Sequence, residues 1–129
     1  MQTARNWRDM PASPGGWHWQ RTTAGSEASF AGGQFIMRCN AAQGTITLLR
    51  ATAAVSGQVP MSISTSDAAT RALMAVPVPG GVAVTLSAHD PLLDAMAFSR
   101  GRFAVETQGN APLYVPSWTE VSRVIEDCR

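Results

Sequence analysis

A chain of 129 residues has room for one hydrophobic core, not two. Apolar residues make up 45% of it, which excludes wholesale disorder, and no apolar run approaches the ~18 residues needed to span a bilayer. The net charge of +1 removes any general attraction to nucleic acid or anionic membrane; all ten basic residues are arginine, so no lysine can form a Schiff base or hold a phosphate loop.

Residues 1–16 are turn-rich, end in Pro11-Ala12-Ser13-Pro14-Gly15-Gly16 and read as a loose leader anchored by Trp7. Its start, Met1 to Asn6, carries no hydrophobic signal region. The expectation is a trimmed start that follows a removed signal peptide, with residues 17–129 forming a single globular β-rich domain. Trp17-His18-Trp19-Gln20 alternates like a half-buried strand, with both tryptophans on one face and His18 on the other. Glu27 to Phe30 supplies a short partner. Gly32-Gly33 turns the chain into a strand with Phe35, Met37 and Cys39 on one face and Arg38 opposite. Asn40 to Gly44 reads as a five-residue hairpin loop before Thr45 to Arg50, where Ile46 and Leu48 point inward.

Ala51 to Pro60 is weakly patterned, and Met61 to Ser66 alternates again. Arg71 to Val76 suits a strand, although its alanines and methionine also suit a helix. Pro77 to Gly81 breaks the chain, and Val82, Val84, Leu86 and Ala88 then alternate with smaller residues in the clearest strand signal. Asp90-Pro91 opens a helix over 91–99, with Asp90 as N-cap, proline at the first helical position and Gly101 as C-terminal cap. Arg102 to Thr107 and Leu113 to Val115 are strands joined by a turn at Gly109-Asn110. Ser117-Trp118-Thr119-Glu120 has the form of a capping box for a helix over 118–128, whose Val121, Val124, Ile125 and Cys128 share one face.

Two independent periodicities thus put a cysteine on a buried face. Strand alternation does so for Cys39 and helical spacing for Cys128, so docking of the last helix on the sheet brings them together. The expectation is a Cys39–Cys128 disulfide and, with it, an oxidising compartment such as the periplasm. The alternative is a pair of buried free thiols in a cytosolic protein. Two distant cysteines lack the spacing of a metal site, and neither metal nor cofactor is expected.

Several blocks resemble a group of small uncharacterised exported proteins of alphaproteobacteria. They are Trp17 to Gln20, Gly25 to Phe30, Arg38-Cys39, Asp90 to Arg102 and Val124 to Arg129. The resemblance covers most of the chain from Trp17 onward and implies export, but carries no activity. The closing helix–strand–strand–helix order is also similar to that of invasion-associated locus B proteins and of type VI secretion accessory lipoproteins, an architectural likeness without a specific motif.

The search for chemistry finds little convergence. There is no Gly-x-Ser-x-Gly elbow, and His18 and His89 lie in different elements. Arg100-Gly101-Arg102 places two guanidiniums at a helix end. It is a candidate anion or partner patch, or else a cap with an ion pair to a nearby carboxylate. Trp17 and Trp19 form a candidate aromatic platform for sugar or peptide, or else fill the core. Periplasmic lysozyme inhibitors are similarly small and β-rich, but their tyrosine- and lysine-bearing signature is missing.

The fold expected is α+β, mainly β. About eight strands form a sandwich or partly closed barrel, with a short helix and a docked C-terminal helix. The function expected is a non-enzymatic periplasmic binding or accessory module. It would act as a monomer on an envelope protein or glycan through a patch drawn from Arg100, Arg102, Trp17, Trp19 and His18. An inhibitor of a cell-wall enzyme or protease, using a loop at Ala51–Pro60 or Thr65–Arg71, and an envelope hydrolase using His18 or His89 are the alternatives.

Overall fold

Alternation of apolar and polar residues is realised along nearly the whole chain. The computed structural model describes residues 6–129, so the first five residues of the leader lie outside the described residues. Nine strands follow in order: β1 (Trp17–Arg21), β2 (Ser26–Phe30), β3 (Phe35–Asn40), β4 (Thr45–Ala51), β5 (Val59–Ser64), β6 (Arg71–Val78), β7 (Gly81–Ser87), β8 (Arg102–Thr107) and β9 (Leu113–Pro116). Helix α1 (Pro91–Ala97) lies between β7 and β8, and α2 (Thr119–Asp127) closes the chain.

All nine strands join one open antiparallel sheet in the order β1-β2-β3-β4-β7-β6-β5-β8-β9, so the expected mainly-β fold with a short helix and a docked C-terminal helix is realised as one open sheet, in place of a sandwich or partly closed barrel of about eight strands. The reason lies in β6. Its first half, Arg71 to Ala75, pairs with β5, and its second half, Val76 to Val78, pairs with β7. One strand therefore carries the sheet around the corner instead of leaving two separate layers. β1 and β9 end as unpaired edges, so the barrel does not close.

Cross-strand rows fill the inner face. Trp17, Phe30 and Phe35 lie opposite one another along β1–β3, and Ala28, Met37 and Leu48 form the next row. The Phe35 ring meets Phe103 of β8 at 6.0 Å, which ties the two ends of the curled sheet into one core. Trp17 packs on Phe30 at 5.5 Å and donates its indole N–H to the Pro116 carbonyl of β9 at 2.7 Å.

Arg50 shares this inner face. Alternation with Ile46 and Leu48 turns it inward, where it is only 8% exposed. Its guanidinium donates to the carbonyls of Ala51 (2.8 Å), Ala111 (3.3 Å) and Gln34 (3.5 Å). Burial lowers its pKa, but arginine stays charged, so main-chain carbonyls stand in for a carboxylate. Gly81 of β7 runs so close to the Arg50 carbonyl that a Cβ has no room there.

Local punctuation differs from expectation in four places. Asn40 pairs with Thr45, so the β3–β4 loop has four residues and not five; the Asn40 side chain accepts from the Gln43 N–H inside it. Pro77 stays within β6 opposite Val82, and only Pro79-Gly80 turns. In a two-residue hairpin, Val78 and Gly81 form the hydrogen-bonded pair. The missing N–H of Pro77 then faces away from β7, beyond the end of β5, and costs nothing.

The other two differences concern the helices. Asp90 caps α1 as expected, accepting from the Leu92 N–H, but the helix stops at Phe98, and Gly101 (φ +75°) instead turns the chain into β8. The expected capping box at Ser117 does not form. Ser117 donates its hydroxyl to the Met96 carbonyl and its N–H to the Gly101 carbonyl, so Trp118 takes the N-cap position without a side-chain bond.

Helix α2 lies across β1–β3 and against α1, burying Val121, Val124 and Ile125. Cys128 is bonded to Cys39 of β3, with Cα atoms 5.6 Å apart and a sequence separation of 89. The β1–β2 turn is built around this bond: a Cβ on Gly25 (φ +154°) would lie 2.8 Å from Cys39 Sγ. Two ion pairs finish the closure. Arg71 forks onto Asp90 at 2.6 and 3.0 Å, and Arg129 forks onto Asp94 at 2.8 and 2.9 Å while donating to the Ala88 carbonyl.

Reduction of Cys39–Cys128, or its replacement by two alanines, is expected to cost about 4 to 5 kcal/mol and lower Tm by roughly 15 °C in a calorimetric scan. The acid response is equally defined. The hydrogen bond from Arg71 holds the Asp90 carboxyl below its usual range, as Arg129 does for Asp94. These contributions are complete above the unfolded-chain value near pH 4 and vanish as pH falls through the lower native values. Asp90→Asn keeps the cap but removes the charge, so at neutral pH it is expected to cost about 1 kcal/mol or less, given the partly exposed Arg71. Denaturant titrations at pH 7 and pH 2 should show that difference shrinking in acid.

Candidate functional site

The residues singled out by sequence separate into two places. His18, Trp17 and Trp19 line a groove of about 620 Å³ together with Thr119, Glu120, Ser122, Arg123 and Glu126 of α2. Arg100 and Arg102 do not line it. Arg102 donates to the Met10 carbonyl of the leader, and exposed Arg100 lies 3.6 Å from Asp67. Their backbone is bound into a local network, in which the Arg100 N–H donates to Ser66 Oγ and the Ser66 N–H donates to Ser99 Oγ.

The geometry of the groove follows from strand and helix periodicity. Trp17, His18 and Trp19 point alternately to opposite faces of the sheet, yet all three line the groove. The groove therefore runs along the outer edge of β1, between that edge and α2. Trp17 is buried and serves the core, whereas Trp19 is half-buried and serves as the floor. The Arg123 guanidinium sits 3.4 Å from the centre of the Trp19 ring, and the Trp19 N–H donates to Asp127 at 3.0 Å. Asp127 also accepts from Ser26 at 2.7 Å, so a carboxylate on the helix clamps β1 and β2 together.

Charge in the groove is unevenly satisfied. Arg123 lies over the indole and forms no ion pair among the described residues, and neither do Glu120 and Glu126. The His18 ring makes no hydrogen bond among the described residues, although Glu120 and two hydroxyl residues share its groove. His89 stands apart, beyond the end of β7, where its N–H donates to Ser87 Oγ. Among the described residues, no three His, Cys, Asp or Glu side chains gather in a way that could hold a metal ion.

Helical spacing puts Glu120, Arg123, Glu126 and Asp127 on the polar face of the last helix and says no more. The role of the first three as a groove wall depends on where α2 docks, and no spacing in the sequence reports that. A second concavity, about 700 Å³, is lined by the loop Ala54 to Val59 and by Gln108; it carries no titratable side chain.

Arg123→Ala removes the cation from the Trp19 face and is expected to cost about 0.5 to 1 kcal/mol, or roughly 2 to 4 °C in Tm. It should also move tryptophan emission to longer wavelength as Trp19 gains water. An unchanged emission spectrum would mean that the stacked pair does not persist in solution.

No helix among the described residues is long and apolar enough to cross a membrane. No family model, curated protein or solved structure matches the chain.

Proposed function

We propose that the chain is a non-enzymatic binding or accessory module of the bacterial envelope, working in the periplasm, with the β1–α2 groove as its binding site. The observation that carries this reading is the groove itself. An aromatic floor, an exposed strand edge and carboxylates without a direct ion pair among the described residues converge there. The Cys39–Cys128 bond supports an oxidising compartment, as does the resemblance of the Asp90–Arg102 and Val124–Arg129 blocks to exported alphaproteobacterial proteins.

The test is a titration of ¹⁵N-labelled, disulfide-intact protein with soluble peptidoglycan fragments and with short peptides, read by amide shifts and by turnover. Saturable shifts at Trp17, Trp19, Glu120 and Arg123 with no product formed are expected. Hydrolysis abolished by His18→Ala would establish the hydrolase reading instead. Shifts confined to the Ala51–Pro60 or the Thr65–Arg71 loop on addition of a cell-wall enzyme or protease would favour the inhibitor.

A further inference from the structure

The two edges of the sheet are finished differently. At β9, both main-chain groups of Tyr114 are taken up by the leader: Ser13 N–H donates to the Tyr114 carbonyl at 2.8 Å, and the Tyr114 N–H donates to Ser13 Oγ at 2.9 Å. Arg102 holds the same segment through the Met10 carbonyl. At β1 no segment of the described chain plays this part.

The register says which groups are left open. Thr22 and Gly25 exchange both N–H···O bonds, at 3.1 and 3.2 Å, so they are a hydrogen-bonded pair. Antiparallel pairs alternate, which makes Gln20–Glu27 and His18–Ser29 hydrogen-bonded as well. The main-chain N–H and C=O of Trp17, Trp19 and Arg21 then point away from β2, toward the groove edge. None of them has a hydrogen-bond partner among the described residues. Three donor–acceptor sets at two-residue spacing, over about 14 Å, are what an extended backbone can complete and a globular surface cannot.

Resting on the reading of the groove as the binding site, we infer that β1 accepts a tenth strand, an extended peptide segment of a partner protein that bears a basic side chain. Strand addition to a free edge takes affinity from the main chain and selectivity from side-chain pockets. The selectivity element here is the α2 wall. Glu120 and Glu126 form no direct ion pair among the described residues, although Arg129 lies within electrostatic reach of Glu126, and Arg123 lies over the Trp19 ring, so a lysine or arginine on the incoming strand can make the direct ion pair they lack. A second copy of this chain fits less well, because β1 against β1 would bring two such acidic walls together.

The test uses the full disulfide-bonded chain and three synthetic seven-residue peptides with blocked ends. The first alternates valine with lysine, the second alternates valine with glutamate, and the third is the lysine peptide N-methylated at alternate amides. Amide shifts give Kd, and hydrogen exchange reports the Trp19 and Arg21 N–H groups. The lysine peptide should slow exchange at both amides, bind at least 10-fold more tightly than the other two, and lose its advantage over glutamate in Glu120→Gln/Glu126→Gln protein. Arg21→Pro, which removes one edge N–H at a position where an edge strand tolerates proline, should weaken it similarly. Equal binding of the N-methylated peptide at the groove would overturn strand addition while leaving the groove as a binding site. Groove shifts with peptidoglycan fragments but with none of the peptides would also overturn it. So would concentration-dependent dimerisation through β1 in sedimentation.

Discussion

Cys128, the penultimate residue, is bonded to Cys39 on the inner face of β3, and the placement of the last helix depends on that bond. Without the crosslink, α2 is a nine-residue helix with no side-chain cap, too short to persist on propensity alone. With it, Val121, Val124 and Ile125 are held against the sheet, and Asp127 reaches Trp19 and Ser26. Arg129 follows to Asp94 and Ala88, so the chain end locks α1 in place as well. The docking of the two helices and the groove between α2 and β1 therefore depend on one closure that spans most of the chain.

An open sheet also has edges to manage. Nine strands that turn a corner at β6 leave two edges, and an unmanaged edge invites aggregation. The leader covers β9, and the mouth between the edges is crossed by the Trp17–Pro116 and Arg50–Ala111 bonds. Burying a guanidinium for this purpose is tolerable because carbonyl oxygens receive two of its nitrogens. Among the described residues, β1 keeps a free run of main-chain groups beside the α2 face that carries Glu120, Arg123 and Glu126.

Much of the fold is legible in the sequence wherever one face of an element is buried. The 2-residue period of Phe35, Met37 and Cys39 and the helical period of Val121, Val124, Ile125 and Cys128 each report burial directly, because water penalises the wrong phase. The Asp90-Pro91 start of α1 is equally local: the cap and the proline satisfy backbone groups within the same turn. The Ser117 box fails for the complementary reason. Its hydroxyl has a longer-range acceptor in Met96, and tertiary contact outbids a local cap of about 1 kcal/mol. Pro77 reads as a break because sequence does not reveal which side of β6 its missing N–H faces.

The sequence by itself determined the alternation, the two helices and the two buried cysteine phases, all of which are set by interactions within a few residues. The inward Arg50 and the carbonyls of Gln34 and Ala111 that make its burial tolerable emerge only in the structure. The tertiary structure alone decided the strand order, the corner at β6, the open edge at β1 and the meeting of Trp19 with Arg123 and Asp127. These depend on pairings between residues as far as 108 positions apart. Many pairings satisfy the same alternation, and only simultaneous packing of all the elements selects among them.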